Sequence, residues 1–501
     1  MNMKRLALFG SLVIVAGLTA LLLRQSRNSP AAAPAGRKPL VFFCAAGIKP
    51  PVEAVAREYE QAFGIPIQLQ YGGSGTLLSN LRVTQTGDLF LAGDESYVKS
   101  ARELGLMAEV IPLARQRPVI TFVKGNPKNI RTLEDLRRPD VRVAMANPDA
   151  ASVGRTVRDL LERTGQWTAL EKSVTVFKPT VNDVANDVKI GSVDAGIVWD
   201  ATARQYPELD IVSVPLFDPA AETISIGVLK SSRQPDAALR FARYLGAPDK
   251  GQIQFRKFHY EPVEGDAWAE SPEILLFSGA MLRPGIEKTL REFEARENCR
   301  ITTVYNGCGI LVAQMRVGQR PDAYFSCDTS FMESVADLYR GPVSIVDNDL
   351  MIIVQKGNLK GIRSVQDMTQ PGIRVGLPHH EKSAMGNIAW KMLLQMNLYD
   401  ALGRNLKVES PTGDFLINQI RTGSLDAIIA CRSNWTGVRE ELDAIPIDHA
   451  LARMTQPFAV GRGTRFPQLM TRLREAFTTP LSRQRFEAEG FGWRYQPGSA
   501  P

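Results

Sequence analysis

The stretch Tyr71-Gly72-Gly73-Ser74-Gly75-Thr76-Leu77-Leu78 connects two segments of different periodicity. The alternating apolar run before it, 65–70, predicts a β-strand, and the amphipathic run after it, 77–83, predicts an α-helix. Ser74 therefore falls near the start of a helix, where backbone N–H groups, a hydroxyl and the positive end of the helix dipole can face an anion. The stretch predicts an anion-binding turn between a strand and a helix.

The same pattern returns in the second half of the chain as Tyr305-Asn306-Gly307-Cys308-Gly309-Ile310-Leu311, with a cysteine in place of Ser74. Further landmarks recur in the same order and at nearly the same spacing. They are 43–50 with 277–284, 88–94 with 322–328, 120–126 with 352–358, Gly154 with Gly386, and 191–197 with 423–429. This ordered recurrence indicates an internal duplication.

Within each repeat, apolar runs that predict strands alternate with helical patterns, which is typical of α/β domains with largely parallel sheets. A chain of 501 residues also exceeds what one hydrophobic core usually supports. We therefore predict two tandem α/β domains. The predicted parts are a signal or membrane-anchor segment at 1–28, a linker at 29–38, a first domain at 39–263, a joint at 264–272, a second domain at 273–495 and a tail at 496–501.

The N-terminal segment predicts export. Lys4 and Arg5 precede the uncharged run Leu6 to Leu23, and arginines follow at 24 and 27. The segment is either an uncleaved membrane anchor, which we favour, or a signal peptide cut in the Ala-rich linker. Both alternatives place the rest of the chain on the periplasmic side of the cytoplasmic membrane. The net charge of +7 comes without a Lys/Arg block, so nucleic acid is not an expected partner.

In this order, the motifs resemble the type 2 periplasmic solute-binding proteins, and most closely the molybdate- and tungstate-binding receptors of ABC importers. The resemblance implies two α/β lobes in each domain, joined by hinge strands, with the ligand in the cleft between them. It places the first crossing between lobes at Pro118–Lys124 and the return near Ile211–Val228. It also implies binding without covalent chemistry, so an enzyme is not expected, and an ABC permease as partner.

The resemblance assigns the ligand-binding positions of the first domain, where a molybdate- or tungstate-like oxyanion is expected and no firm cofactor. A deprotonated oxyanion has only hydrogen-bond acceptors, so it needs neutral donors and helix N-termini. Gly47 keeps a backbone N–H where the family has a serine, and Trp199 offers an indole N–H where the family has a tyrosine. The alternative is that Ser74 only caps its helix and Trp199 only packs. The predicted ligand-binding residues are Gly47, Ser74, Gly75, Ser152, Val153 and Trp199.

In the second domain, sulfur replaces the donors at several matched positions. The second-cleft candidates are Met281, Cys308, Ala384, Met385 and Cys431. His379 matches a position at the mouth of the same predicted cleft. Sulfur and imidazole ligands suit Cu(I) or Zn(II) better than an oxyanion. Cys308, Cys431 and His379 therefore form a candidate site for a soft metal.

Three other interpretations of the second domain stay open. In the first interpretation, the domain has lost ligand binding and serves as a scaffold with buried cysteines. Alternatively, Cys308 is the nucleophile of a cysteine enzyme with His379 or His380 as base, or a thiol-lined pocket still binds an oxyanion. For the whole chain, the alternative to uptake is a membrane-anchored sensor or scaffold whose second domain binds a soft metal or has lost its ligand.

Overall fold

The structure is a computed structural model that describes residues 38–497. The predicted membrane segment, nearly all of the linker and the end of the tail lie outside these residues. Within them, no helix combines the length and the apolar character needed to span a bilayer.

The first repeat consists of two α/β lobes, each with its own sheet. Its strands are β1 (Leu40–Ala45), β2 (Ile67–Gly72), β3 (Leu89–Leu91), β4 (Met107–Gln116), β5 (Pro118–Val123), β6 (Val143–Ala146), β7 (Val174–Lys178), β8 (Ala195–Trp199), β9 (Leu209–Val212), β10 (Glu222–Leu229) and β11 (Glu261–Pro262). Its helices are α1 (Lys49–Phe63), α2 (Ser74–Thr84), α3 (Glu95–Glu103), α4 (Ser152–Arg163), α5 (Trp167–Glu171), α6 (Val181–Lys189), α7 (Asp200–Arg204), α8 (Pro235–Gly246) and α9 (Gly251–Lys257).

The sheet of the first lobe has the strand order β11-β4-β10-β3-β1-β2, and that of the second lobe has the order β7-β6-β8-β5-β9. In the first lobe, β1 pairs in parallel with β2 and β3, whereas β10 pairs antiparallel with β3 and β4. The carboxyl ends of the three parallel strands therefore meet at one edge, where open α/β sheets hold their ligands. Separate hydrophobic cores support the two lobes.

The chain passes from the first lobe to the second at Arg117, between β4 and β5. The predicted first crossing at Pro118–Lys124 is therefore wrong, because 118–123 form β5 inside the second-lobe sheet, paired with β8 and β9. The chain returns between the end of β9 at Val212 and the start of β10 at Glu222, within the predicted return segment.

The second repeat follows the same order of elements, but one long strand runs through both of its lobes. Its strands are β12 (Glu273–Gly279), β13 (Arg300–Asn306), β14 (Ala323–Phe325), β15 (Tyr339–Gln355), β16 (Val375–Pro378), β17 (Leu406–Ser410), β18 (Ala427–Cys431), β19 (Leu442–Pro446), β20 (Arg453–Gly461) and β21 (Gly492–Trp493). Its helices are α10 (Arg283–Glu297), α11 (Cys308–Arg316), α12 (Thr329–Glu333), α13 (Ala384–Gln395), α14 (Tyr399–Gly403), α15 (Gly413–Arg421), α16 (Arg432–Thr436), α17 (Pro467–Phe477) and α18 (Pro480–Ala488). Because β15 pairs with β20 in one lobe and with β18 in the other, the sheets join into one of ten strands around a continuous core.

The two repeats contact each other through their first lobes. Arg243 of α8 is buried and donates from its guanidinium to the backbone carbonyl of Glu297 at 2.8 Å and to that of Ala269 at 2.9 Å. Beside it, Arg296 of α10 forms an ion pair with Glu109 of β4. These contacts hold one first lobe against the other.

Candidate functional site

The cleft of the first repeat lies at the carboxyl ends of β1, β2 and β3, and the second lobe closes over it. Across the lobes, the Gly75 N–H donates to the carbonyl oxygen of Ala150 at 2.9 Å. A Cβ atom at Gly73 would overlap that same oxygen, and one at Gly75 would overlap the carbonyl oxygen of Asp149. The glycines of the turn are therefore needed for this close approach. Gly75, predicted to bind the ligand, gives its N–H to the second lobe here.

The closed cleft is small and lined only by uncharged residues. The space open to the centre of a water-sized sphere is about 20 Å³, far below the ~300–1,000 Å³ of pockets for organic ligands. The lining residues are Ala45, Ala46, Gly47, Ile48, Gly72, Gly73, Ser74, Gly93, Gln116, Ala151, Ser152, Thr180, Val181 and Trp199. The closed form thus suits a small inorganic ligand held by neutral groups.

Ser74 is buried in the floor of this cleft. Its Oγ accepts a hydrogen bond from the Gly93 N–H at 3.0 Å. Ser74 is the first residue of α2, and the residue before it, Gly73, is the N-cap without a side-chain cap bond. The alternative that Ser74 only caps its helix is therefore wrong. Because one lone pair of its oxygen is occupied by an N–H, the hydroxyl hydrogen remains to be donated.

Ser152 faces Ser74 from the second lobe. The Trp199 indole N–H donates to Ser152 Oγ at 3.2 Å, and both residues are buried. Trp199, predicted to donate to the ligand, therefore orients Ser152 in this structure. A Cβ atom at Gly93 would overlap Ser152 Oγ and lie 3.6 Å from Ser74 Oγ. The two hydroxyl groups thus face one small space that Gly93 keeps open.

Of the two remaining predicted residues, Gly47 is among the residues that line the cleft and Val153 is not. The Gly47 carbonyl accepts a hydrogen bond from the Tyr260 hydroxyl at 2.6 Å. Burial raises the pKa of Tyr260, so its hydroxyl stays protonated and donates. Val153 is the second residue of α4 and is buried behind Ser152. Tyr260 was not predicted, and it fixes the turn that presents Gly47.

Sequence reasoning also missed Gln116 and Gly93. Gln116 Nε2 donates to the Gly93 carbonyl at 2.7 Å and so holds the loop whose N–H contacts Ser74. Gln116 is the last residue of β4, a strand that was not predicted. Gly93 belongs to a recurring landmark, and its replacement by Cys327 in the second repeat was the signal that could have identified it.

The matched turn of the second repeat keeps the same backbone contact with sulfur in place of oxygen. Cys308 Sγ accepts a hydrogen bond from the Cys327 N–H at 3.0 Å. Burial favours the neutral thiol, but hydrogen bonds from Cys327, Tyr324 and Ser326 outweigh it and lower the pKa of Cys308. The Cys327 sulfur lies at the position that a Cβ atom at Gly279 would take, next to Cys308 Sγ. The floor of this cleft therefore carries two sulfur atoms where Ser74 and Gly93 stand in the first cleft.

The other second-cleft candidates, Met281, Ala384, Met385 and Cys431, are all buried. Cys431 Sγ contacts Met454 Sδ at 3.8 Å, and burial raises the pKa of the Cys431 thiol. His379 Nδ1 accepts a hydrogen bond from the Glu381 N–H at 3.2 Å. In residues 38–497, no three His, Cys, Asp or Glu side chains gather closely enough to hold a metal ion. The three-residue metal site of Cys308, Cys431 and His379 is therefore not assembled in this structure.

Comparison with known proteins gives matches to both repeats. The family model for bacterial extracellular solute-binding proteins matches residues 40–261 and 274–492. The molybdate-binding protein ModA of Mycobacterium bovis is 28% identical over 240 residues, which are 47% of this chain and 90% of that protein. Among solved structures, the periplasmic molybdate-binding protein of Azotobacter vinelandii is 17% identical with a TM-score of 0.39, covering 45% of this chain and 100% of its own. The sulfate-binding protein SubI of Mycobacterium tuberculosis is 18% identical with a TM-score of 0.41, covering 46% and 88%.

Proposed function

The chain belongs to the bacterial extracellular solute-binding proteins, which confirms the predicted resemblance and fold class, and from this membership we propose that its first cleft captures a molybdate- or tungstate-like oxyanion for ABC-type uptake. It does so outside the cytoplasm, with an ABC permease as the receiving partner. The related ModA protein is named for molybdate binding.

The observation that carries the proposal is the pair of oriented hydroxyl groups. Ser74 and Ser152 come from different lobes, and each oxygen already accepts an N–H, from Gly93 and Trp199 respectively. Each hydroxyl is thereby directed to donate rather than accept. A ligand with acceptors on several sides can then bind both lobes at once and stabilise the closed form.

The lack of charged lining residues also supports an oxyanion rather than a metal cation. Backbone and hydroxyl donors complement a negative charge, and the N-termini of α2 and α4 add positive potential at Ser74 and Ser152. A cation would need oxygen or sulfur ligands that present lone pairs, and the serine lone pairs facing Gly93 and Trp199 are already used.

Calorimetric titration of the purified chain with molybdate, tungstate, sulfate and phosphate tests the proposal. We expect molybdate or tungstate to bind at one site per chain and more tightly than the other two anions. Binding of none of the four would exclude the oxyanion function. Tighter binding of sulfate or phosphate would identify a different oxyanion as the ligand and leave the proposed role in ABC-type uptake unchanged.

A stoichiometry of one is expected because the second repeat has Cys308 in place of Ser74, and a thiol is a weaker hydrogen-bond donor than a hydroxyl. This observation favours the second candidate function for that repeat, a scaffold that has lost oxyanion binding. Two molybdate ions per chain would contradict this interpretation.

A further inference from the structure

Two cysteines of the second repeat meet at the floor of its cleft. Cys308 is the first residue of α11, and Cys327 follows the end of β14. Both sulfur atoms lie within 3.3 Å of the position that a Cβ atom at Gly279 would take. Because Gly279 has no side chain, it places no Cβ atom beside the two sulfurs.

The backbone geometry permits a bond between these sulfurs. The Cys327 nitrogen is 3.0 Å from Cys308 Sγ. With standard bond lengths, this contact places the two Cα atoms no more than roughly 7 Å apart, whereas disulfides span Cα distances of about 4.4–6.8 Å. The contact is therefore compatible with a disulfide between these two residues.

The two thiols also differ in character. Burial alone would raise the pKa of Cys308, but hydrogen bonds from Cys327, Tyr324 and Ser326 lower it. For Cys327, the hydrogen bond with Cys308 and burial both raise the pKa. The thiolate is the nucleophile in thiol–disulfide exchange. Cys308 is thus the attacking member, and Cys327 keeps its proton until the second step.

We propose that Cys308 and Cys327 form a redox-active dithiol that a small disulfide converts to an intramolecular disulfide. In the first step, Cys308 thiolate attacks one sulfur of the small disulfide, forms a mixed disulfide and releases one thiolate. That thiolate takes the proton of Cys327. Cys327 thiolate then attacks Cys308 Sγ and releases the second thiolate, which takes up from water the proton that Cys308 had lost on ionising. Overall, the dithiol loses two electrons and two protons and the small disulfide gains them. This site is independent of the proposed oxyanion function of the first cleft.

The reagent must enter through the cleft. Cys308 is fully buried and Cys327 is 5% exposed, and the second-lobe segment around Lys382 covers the turn, because a Cβ atom at Gly307 would overlap the Lys382 carbonyl oxygen. Oxidation therefore requires the second lobe to move away. A small flexible disulfide such as glutathione disulfide is the suitable probe.

The test uses the purified full chain, equilibrated with mixtures of glutathione and glutathione disulfide and quenched in acid. Remaining thiols are alkylated under denaturing conditions, and the protein is digested with trypsin without reduction. Arg316 lies between the two cysteines, so trypsin separates them. We expect one linked pair of peptides, 301–316 with 317–340, which dithiothreitol releases, and alkylation of Cys44, Cys299 and Cys431.

Cys308→Ser and Cys327→Ser should each abolish the linked pair, whereas Cys431→Ser, which removes the other buried cleft thiol, should keep it. Circular dichroism of each variant shows whether it folds, and the wild-type digest decides the question if one does not. The proposal is overturned if only mixed disulfides with glutathione form, if Cys308 links to Cys431 instead, or if the pair stays reduced in glutathione disulfide alone. A metal ion recovered with the reduced protein and retained only by these two cysteines would also overturn it.

Discussion

At the scale of single residues, the hydrogen-bonding chemistry of each cleft depends on which side-chain atom accepts from one backbone N–H. In the first repeat the Gly93 N–H meets Ser74 Oγ at 3.0 Å, and in the second the Cys327 N–H meets Cys308 Sγ at 3.0 Å. The backbone arrangement is the same. A hydroxyl can donate a strong hydrogen bond to an oxyanion, whereas a thiol donates only weakly. The two clefts therefore already differ in hydrogen-bonding chemistry at this one matched position.

Replacing Ser74 with alanine should weaken oxyanion binding without unfolding the first repeat. One hydrogen bond to a charged group contributes about 1.5–3 kcal/mol, which is roughly a tenfold to hundredfold change in affinity. Calorimetry with molybdate measures it. Ser79→Ala is the matched control, because Ser79 is exposed on the same helix. Equal molybdate affinities for wild type and Ser74→Ala would show that Ser74 does not bind the ligand.

Gly93→Ala should prevent closure of the first cleft. The added Cβ atom would overlap Ser152 Oγ, which belongs to the other lobe. We expect molybdate affinity to fall by at least the factor seen for Ser74→Ala, because closure and both hydroxyl contacts are affected, while the melting temperature of the ligand-free protein changes little. Small-angle scattering would show a more open ligand-free form. Retention of wild-type affinity would mean that the ligand does not need the closed arrangement.

At the scale of elements, the strand-to-helix turns and the duplication follow from sequence, but the strand β4 does not. Met107–Gln116 contains Glu109, Pro112 and Arg115, which interrupt the alternation by which a strand is recognised. Its pairing with β10 is a long-range contact that compensates for this weak local pattern. For that reason Gln116, at its end, could not be assigned to the cleft.

Cross-lobe contacts were also beyond prediction from sequence. Ser74, Ser152 and Trp199, which the resemblance assigns to the ligand, line one cleft, but the hydrogen bond from the Trp199 N–H to Ser152 joins side chains whose contact no local sequence pattern specifies. The crossing was misplaced for a similar reason, since no local pattern distinguishes the end of β4 from the start of β5 around Arg117. The membrane segment stays a prediction, because 1–28 lie outside the described residues.

The return hinge carries a half-buried carboxyl group, Glu222, whose titration should contribute to the pH dependence of stability. Burial and the nearby Asp94, Glu95 and Asp159 raise the pKa of Glu222, the first residue of β10, from 4.5 to about 7. At Glu222 the folded protein therefore binds a proton more tightly than the unfolded chain, so the contribution of this one group to stability is most favourable below about pH 4.5 and falls as pH rises towards 7.

Glu222→Gln should accordingly stabilise the protein above neutral pH. Because the group is partly exposed, we expect a gain on the order of 1–2 kcal/mol at about pH 8, disappearing at low pH. Denaturant unfolding of wild type and variant across this range measures the difference. Glu273→Gln, at a largely exposed carboxyl group, is the control and should show no such trend. A difference that is constant with pH would contradict a raised pKa at Glu222.

At the scale of the whole molecule, the repeats are joined through their first lobes, and the hinge segments lie elsewhere. Arg243 connects α8 of the first repeat with the end of α10 and with the joint, through the carbonyls of Glu297 and Ala269. The second lobe of the first repeat is built around a separate core. We therefore expect the contact between repeats to contribute to stability and not to ligand binding in the first cleft.

Replacing Arg243 with methionine tests this separation. Methionine fills similar apolar space but leaves the buried carbonyl of Glu297 and the partly buried carbonyl of Ala269 without their donor. This should lower the free energy of unfolding by about 2–4 kcal/mol. Calorimetric melting measures this loss, and Arg57→Met, at an exposed site on α1, should leave the melting temperature near that of wild type. Titration with molybdate should give the same affinity for Arg243→Met as for wild type, because Ser74, Ser152 and the crossings at Arg117 and 212–222 are untouched. A loss of affinity that parallels the loss of stability would show instead that the contact between repeats controls opening of the first cleft.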